Sequence, residues 1–239
     1  GGDTATVSIT ALEGTTNANL SSLATTNVTA GASLTNATVN FAGDLGTAAV
    51  TIDGTAGLAD DIFNVDSATM GTATFTVNSN AILQGTISKL AGATSSGAGT
   101  TDITDLHNDL TADLRNVATN SVTATFDATQ TFAGYLGGAT VTVTDGNAMT
   151  VAANRAVNSQ IDQVTNGTAE ILVATADADV DLTTISGSAL NSVTVTENLT
   201  FTGTLHGSVA TTVDNGVILE TTAAIATGKS IVEGGGDTA

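Results

Sequence analysis

The sequence predicts an all-β protein built from tandem repeats, and three observations carry that expectation. The segment Phe41 to Gly54, "FAGDLGTAAVTIDG", returns as "FAGYLGGATVTVTDG" from Phe132 to Gly146 and as "FTGTLHGSVATTVDNG" from Phe201 to Gly216. Runs such as "TATFTV", "SVTATF", "ATVTVT" and "LTFTGTL" alternate apolar residues with Thr, the period of a strand with one buried and one wet face. Thr makes up about a fifth of the 239 residues, aromatics are 3 % and proline is absent, so turns fall to Gly, Asn and Asp.

Aligning the chain on its three Phe-x-Gly-x-Leu sites extends the match upstream. "NLSSLATTNVTAGASLTNATVN", "DLTADLRNVATNSVTATFDATQT" and "DLTTISGSALNSVTVTENLT" each open on Asn or Asp, then Leu, then Ser or Thr. The result is three repeats of roughly 70 residues: 20–109, lengthened by an insertion near 84–109, then 110–181 and 182–239. The pentapeptide "GGDTA" stands at 1–5 and again at 235–239. Joining end to start completes the third repeat with residues 1–19 of a following period, so the chain is expected to be one period of a longer array. Within the insertion, Ala91 to Thr101 reads as a linker. Ile103, Leu106, Leu110, Leu114 and Val117 fall at helical spacing, which predicts at most one short helix near 102–117.

Irregular repeat lengths and small apolar residues suit a β-solenoid, whose narrow core is filled by stacked Ala, Val and Thr. Asp53-Gly54, Asp145-Gly146 and Asn215-Gly216 follow alternating runs and suit either a solenoid corner or a tight hairpin. Tandem antiparallel β-sandwich modules therefore stand as the alternative. The recurring motif reads as a structural turn: Phe41, Gly43 and Leu45; Phe132, Gly134 and Leu136; Phe201, Gly203 and Leu205. Its glycine permits positive φ or close backbone approach, and its Phe and Leu anchor the bend in the core.

Net charge is −19, with only Lys89, Lys229, Arg115 and Arg155 on the positive side. Neutralising a phosphate backbone with those four cations is not possible, which excludes nucleic acid as a partner. No stretch has the apolar length of a spanning helix, so no membrane insertion is expected. Cysteine is absent, His107 and His206 lie in different repeats, and no nucleophile elbow or metalloprotease motif is present, so the chain is not expected to be an enzyme. Three acidic clusters remain as candidate calcium ligands: Asp177, Asp179 and Asp181; Asp102, Asp105 and Asp109; Asp60, Asp61 and Asp66. Alternate carboxylates on an extended segment share a side, and calcium takes six to eight hard oxygens. The other reading of each cluster is a solvated acidic corner.

Taken together, the Thr-, Ala-, Gly-, Val-, Asn- and Asp-rich texture, the lack of cysteine and the Phe-x-Gly-x-Leu motif with its Val-Thr run resemble the giant β-strand-repeat surface proteins of bacteria. These are of the adhesin and surface-layer type often associated with RTX calcium repeats, and the likeness covers the whole chain. The resemblance implies secretion and an extracellular or cell-surface location. "EGGGDTA" at 233–239 looks like a piece of an RTX nonapeptide but lacks the Gly-x-Gly-x-Asp spacing, so calcium is not carried over from it. The expected function is a structural repeat of a self-assembling extracellular filament, sheath or surface layer, with copies of itself as partner. The alternative is a stalk or ligand-binding module of a giant adhesin that meets surface glycans or ice.

Overall fold

The computed structural model describes residues 6–9, 15–16, 19–21, 27–33, 38–54, 61–117 and 121–235. It is rich in β-strand, its sheets are parallel, and its helices are single turns. The chain forms two compact units, Gly1–Leu106 with Asn116–Ala124, and His107–Arg115 with Thr125–Ala239.

In the first unit ten strands follow one another: β1 (Thr6–Ile9), β2 (Thr15–Thr16), β3 (Asn27–Ser33), β4 (Thr38–Phe41), β5 (Ala49–Asp53), β6 (Asp61–Asn64), β7 (Thr74–Val77), β8 (Ala81–Gly85), β9 (Thr94–Gly97) and β10 (Thr100–Ile103). The one-turn helix α1 (Ile87–Leu90) joins β8 to β9. Odd-numbered strands pair in the order β1-β3-β5-β7-β9 and even-numbered strands in the order β2-β4-β6-β8-β10, all parallel. Parallel neighbours need a crossover of a dozen or more residues. Here the crossover is supplied by the strand of the other ladder, so the chain alternates between the two. Paired residues are 18 (Ile82 with Thr100) to 25 (Val50 with Phe75) positions apart. The first four residues of β11 (Ser121–Phe126) continue the even ladder beside β10.

The second unit repeats the device. Its strands are β12 (Gln130–Phe132), β13 (Thr140–Val143), β14 (Ala148–Ala152), β15 (Gln160–Gln163), β16 (Thr168–Val173), β17 (Leu190–Val195), β18 (Leu199–Thr200), β19 (Thr211–Val213), β20 (Leu219–Glu220) and β21 (Ile231–Glu233). One parallel ladder runs β12-β14-β16-β17-β19-β21, and β13 pairs with β15 and β18 with β20. One-turn helices α2 (Ala153–Ala156) and α3 (Ala223–Ala226) follow β14 and β20.

Register puts like residues above like. In the second unit Phe132, Val151, Ile171, Val193, Thr211 and Ile231 form one column, each paired with the next. In the first unit Val39, Phe63 and Leu83 do the same, and the Phe41 and Phe63 rings lie 5.9 Å apart. In β7, β13 and β16 burial alternates, with Phe75 and Val77, Val141 and Val143, and Ile171 and Val173 inward, whereas β17 buries its last three residues in a row and β21 is exposed throughout.

The antiparallel sandwich alternative is corrected by these ladders, as is the hairpin reading of the Asp-Gly and Asn-Gly pairs. Gly146 and Gly216 have φ of +72° and +78° and turn the chain into the next strand of another ladder, while a Cβ on Gly54 would meet the Asn80 carbonyl oxygen at 2.0 Å. The linker reading of Ala91 to Thr101 is corrected as well, because β9 and the start of β10 occupy it. There the buried Ser95 hydroxyl bonds the Thr101 hydroxyl at 3.0 Å. The segment 102–117, where at most one short helix is expected, holds two 3₁₀ turns, Leu106–Asn108 and Leu114–Asn116, and the one-turn α-helices lie elsewhere. Ile103, Leu106, Leu114 and Val117 are buried as their spacing requires. The Asp109 carboxylate draws in the Thr111 N–H at 3.0 Å, a local bond that competes with helix continuation.

The Phe-x-Gly-x-Leu residues sit at bends. Phe41, Phe132, Phe201, Leu45, Leu136 and Leu205 are all buried. Of the two roles open to the motif glycine, close approach governs: a Cβ on Gly134 would lie 2.0 Å from the Ala112 carbonyl oxygen, and one on Gly203 would lie 2.1 Å from that of Val180. The next residue then bonds the neighbouring strand layer, with Tyr135 N–H donating to Ala112 O at 3.0 Å. Gly134→Ala is expected to cost about 1–3 kcal/mol or more, because backbone and not a flexible side chain must yield. Gly92→Ala, where a Cβ meets nothing within 4 Å, is expected to be neutral or to stabilise by about 0.4–1 kcal/mol. Urea unfolding of the two variants beside the parent checks both signs.

Candidate functional site

The acidic clusters are distributed through the fold as hydrogen-bond acceptors. Asp177 is 1 % exposed, and its two oxygens accept from Asn154 N–H at 2.8 Å and Ala174 N–H at 2.9 Å. It thus caps the first turn of α2 from the adjacent layer. Asp105 does the same for α1 through Ile87 N–H at 2.6 Å, and Asp66 accepts from Thr86 N–H at 2.7 Å. Asp109 and Asp181 make one shared motif, each accepting from both the N–H and the hydroxyl of the Thr two residues on.

Asp102 belongs to a polar ladder on the outer face of the even strands. Asn64 donates to Gln84 at 3.0 Å, Gln84 donates to Asp102 at 2.9 Å, and Thr123 donates to Asp102 at 2.6 Å, each pair being in register. Asp61 is buried, and Asp60 lies outside the described residues. Asp177 is buried while Asp179 and Asp181 are exposed, so the three do not share a side: Asp177 ends a 3₁₀ turn (Thr175–Asp177) and the residues after it form no strand, so the strand period of two does not hold. Among the described residues no three His, Asp or Glu side chains converge in a way that would hold a metal ion.

His206 is tied into the backbone. Its Nδ1 accepts from Val209 N–H at 3.0 Å and Ser208 N–H at 3.3 Å, which leaves Nε2 to donate to Ile185 O at 3.2 Å. His107 pairs with the Asp127 carboxylate. Among the described residues no helix is long and apolar enough to cross a membrane.

One cluster escaped the sequence reading. The two arginines of the chain meet its single tyrosine: Arg115 Cζ lies 3.6 Å and Arg155 Cζ 4.5 Å from the Tyr135 ring centroid. Arg115 is also paired with Asp113 through two bonds of 2.8 and 2.6 Å, which hold the Asp113 carboxyl below its ordinary range. With Asn154 and Asn158 these residues line a concavity of about 410 Å³. The available signal was spacing, since positions 115, 135 and 155 are separated by one ladder step each.

The second unit ends on an apolar surface. Along the column from Phe132 to Thr211 every side chain is at most 1 % exposed, whereas Ile231, next in the same register, is 39 % exposed. Val232 beside it is 44 % exposed and Ile218 is 59 % exposed. β20 and β21 are the last strands in their sheet orders, so their outer N–H and C=O groups have no strand partner among the described residues.

Acid response follows from the corner carboxylates. Ser188 N–H at 3.0 Å, with Gln160 Nε2 at 2.5 Å, holds the Asp162 carboxyl below its ordinary range, and Thr175 does the same for Glu197. A depressed carboxyl contributes stability above its unfolded-state pKa of about 4 and loses that contribution as pH falls through the lower folded-state value. Melting temperature is therefore expected to drop below about pH 4. Asp162→Asn is expected to melt lower at pH 7 and to fall less steeply between pH 4 and pH 2, as circular dichroism melts across that range would show. No protein-family model, curated protein or solved structure matches the chain.

Proposed function

We propose that the chain is a structural, non-catalytic repeat of an extracellular self-assembling filament, sheath or surface layer, folded as a β-solenoid. The single observation that supports this most is the repeated parallel ladder, in which strand after strand pairs with one 18 to 25 positions along the chain. A fold whose layers are alike in kind gains stability from each added layer. The parallel registers of 18 to 25 residues support the solenoid reading, because successive strands of one ladder are one circuit of the chain apart.

Charge opposes assembly. Copies bearing −19 repel over about 30 Å at 0.01 M salt and over about 8 Å at 0.15 M. Monomers are expected at low ionic strength, and filaments or sheets on raising salt or adding millimolar calcium, by light scattering and negative-stain electron microscopy. A chain that stays monomeric under every ionic condition sinks this reading.

The Arg115, Tyr135 and Arg155 concavity favours a second reading, a ligand-binding module for acidic surface glycans. A flat aromatic face with guanidinium and amide donors is suited to such ligands. A glycan array on which the protein and its Tyr135→Ala variant are equally blank removes this reading.

A further inference from the structure

We propose that the concavity lined by Arg115, Tyr135 and Arg155 is a subsite for one hexuronate unit of a polysaccharide, with the Arg155 guanidinium as the fork that takes the sugar carboxylate. This rests on the glycan-binding reading and names the chemical group recognised. Three observations within the second unit carry it.

The first is the charge of the site. Arg115 is committed to Asp113 by bonds of 2.8 and 2.6 Å, so that pair is neutral. Arg155 pairs with no carboxylate among the described residues. In a chain of net charge −19, an arginine held without a counterion is a local reversal of sign. The site offers one positive charge and matches a ligand that presents one negative charge there. A densely charged polymer meets the repulsion of the whole chain instead.

The second observation is that the fork is held in place. Arg155 Cζ lies 4.5 Å from the Tyr135 ring centroid, a cation–π contact that positions a guanidinium and leaves its N–H groups un-neutralised. Leu114 N–H donates to Tyr135 O at 2.8 Å and Leu136 N–H to Arg155 O at 2.8 Å, so the backbone is tied at the residues that carry the site. Gly137, with φ of +62°, makes room for the other arginine: a Cβ there would lie 2.7 Å from Arg115 Cγ. A guanidinium already oriented takes a planar carboxylate through two parallel bonds and loses less freedom in doing so.

The third observation is the surroundings of Arg155. Asn154 and Asn158 are exposed beside it in the sequence, and each side-chain amide both donates and accepts, as sugar hydroxyls require. Their backbones are fixed, with Asn154 N–H donating to the buried Asp177 at 2.8 Å and Asn158 N–H to the Thr184 hydroxyl at 3.3 Å. Val157 adds a half-buried apolar wall. An acidic peptide supplies carboxylates without hydroxyls and leaves those amides half used. The volume of about 410 Å³ lies within the range of roughly 300–1,000 Å³ usual for small-ligand sites.

The test is isothermal titration of the full chain, in calcium-free buffer at about 0.15 M salt, with a galacturonate trimer and with its methyl ester, which is neutral and otherwise alike. The acid is expected to bind at least about tenfold more tightly than the ester. Arg155→Gln is expected to lose at least about tenfold in affinity for the acid, whereas Lys229→Gln, which removes the same charge elsewhere, changes it less than about twofold. Asp113→Asn releases Arg115 and is expected to tighten binding about two- to fivefold. Equal binding of acid and ester overturns the proposal and needs no variant. Parental affinity in an Arg155→Gln chain whose circular dichroism melt is unchanged overturns it too, as does a glutamate trimer that binds as tightly as the sugar. Binding of dextran sulfate with the galacturonate trimer blank overturns the hexuronate assignment and leaves the glycan reading standing. Blank titrations with both acidic glycans overturn both.

Discussion

Parallel pairing between strands about twenty residues apart in sequence holds each unit of this protein together. Inner strands find partners for their N–H and C=O groups one step earlier and one step later, and unpaired buried backbone groups are costly. Side chains in register therefore stack on their own kind, as Phe132, Val151, Ile171 and Val193 do. The interior admits few large rings, which explains why aromatics are scarce and why the six phenylalanines are all buried. It also explains the corner glycines, because a bend that lies directly on the bend below leaves no room for a Cβ. Gly134 and Gly203 are required by the neighbouring layer's carbonyl oxygen rather than by their own φ.

How much of this was legible in the sequence depended on whether the signal was local. Period-two alternation marked the inward residues of β7, β11 and β13, and Phe-x-Gly-x-Leu marked real bends. What was missed is the twenty-residue step itself. It is masked by a longer similarity of roughly 70 residues, and it lives in geometry rather than in identity: Tyr135 has Arg115 and Arg155 one step away on either side, so adjacent steps carry different residues. Asp-Gly pairs mislead for a related reason. The αL glycine of a hairpin and that of a corner look alike in sequence, and only the pairing partner distinguishes them. Residues 103–117 mislead because two single-turn corners bury the same three- and four-spaced residues that one helix would bury.

The acidic composition has a structural side that net charge conceals. Of the 23 acidic residues 18 are Asp, and many are acceptors for backbone N–H groups at turns. Asp66, Asp105, Asp162 and Asp177 each reach a residue 18 to 26 positions away, so they clamp neighbouring layers where no ladder bond is available. A short side chain that accepts only is suited to an N–H exposed at a bend, and Glu197 accepts from the Thr175 N–H in the same way. In a proline-free chain these carboxylates take over the task of fixing the corners.

The same carboxylates set the terms on which copies meet. Within a chain each clamp is short-range and holds whatever the salt concentration outside, because its partner is an adjacent N–H. Between chains the same charges act over a Debye length and oppose contact. Burying Ile231 and Val232 under another layer favours contact by roughly 25 cal/mol per Å² of apolar surface, independent of salt. The fold is thus insensitive to ionic strength where its corners are clamped, whereas repulsion between copies is sensitive to it. On the proposed assembly, copies that fold in dilute solution would associate when ions screen their surface, with no separate switch beyond the charge that the corners already require.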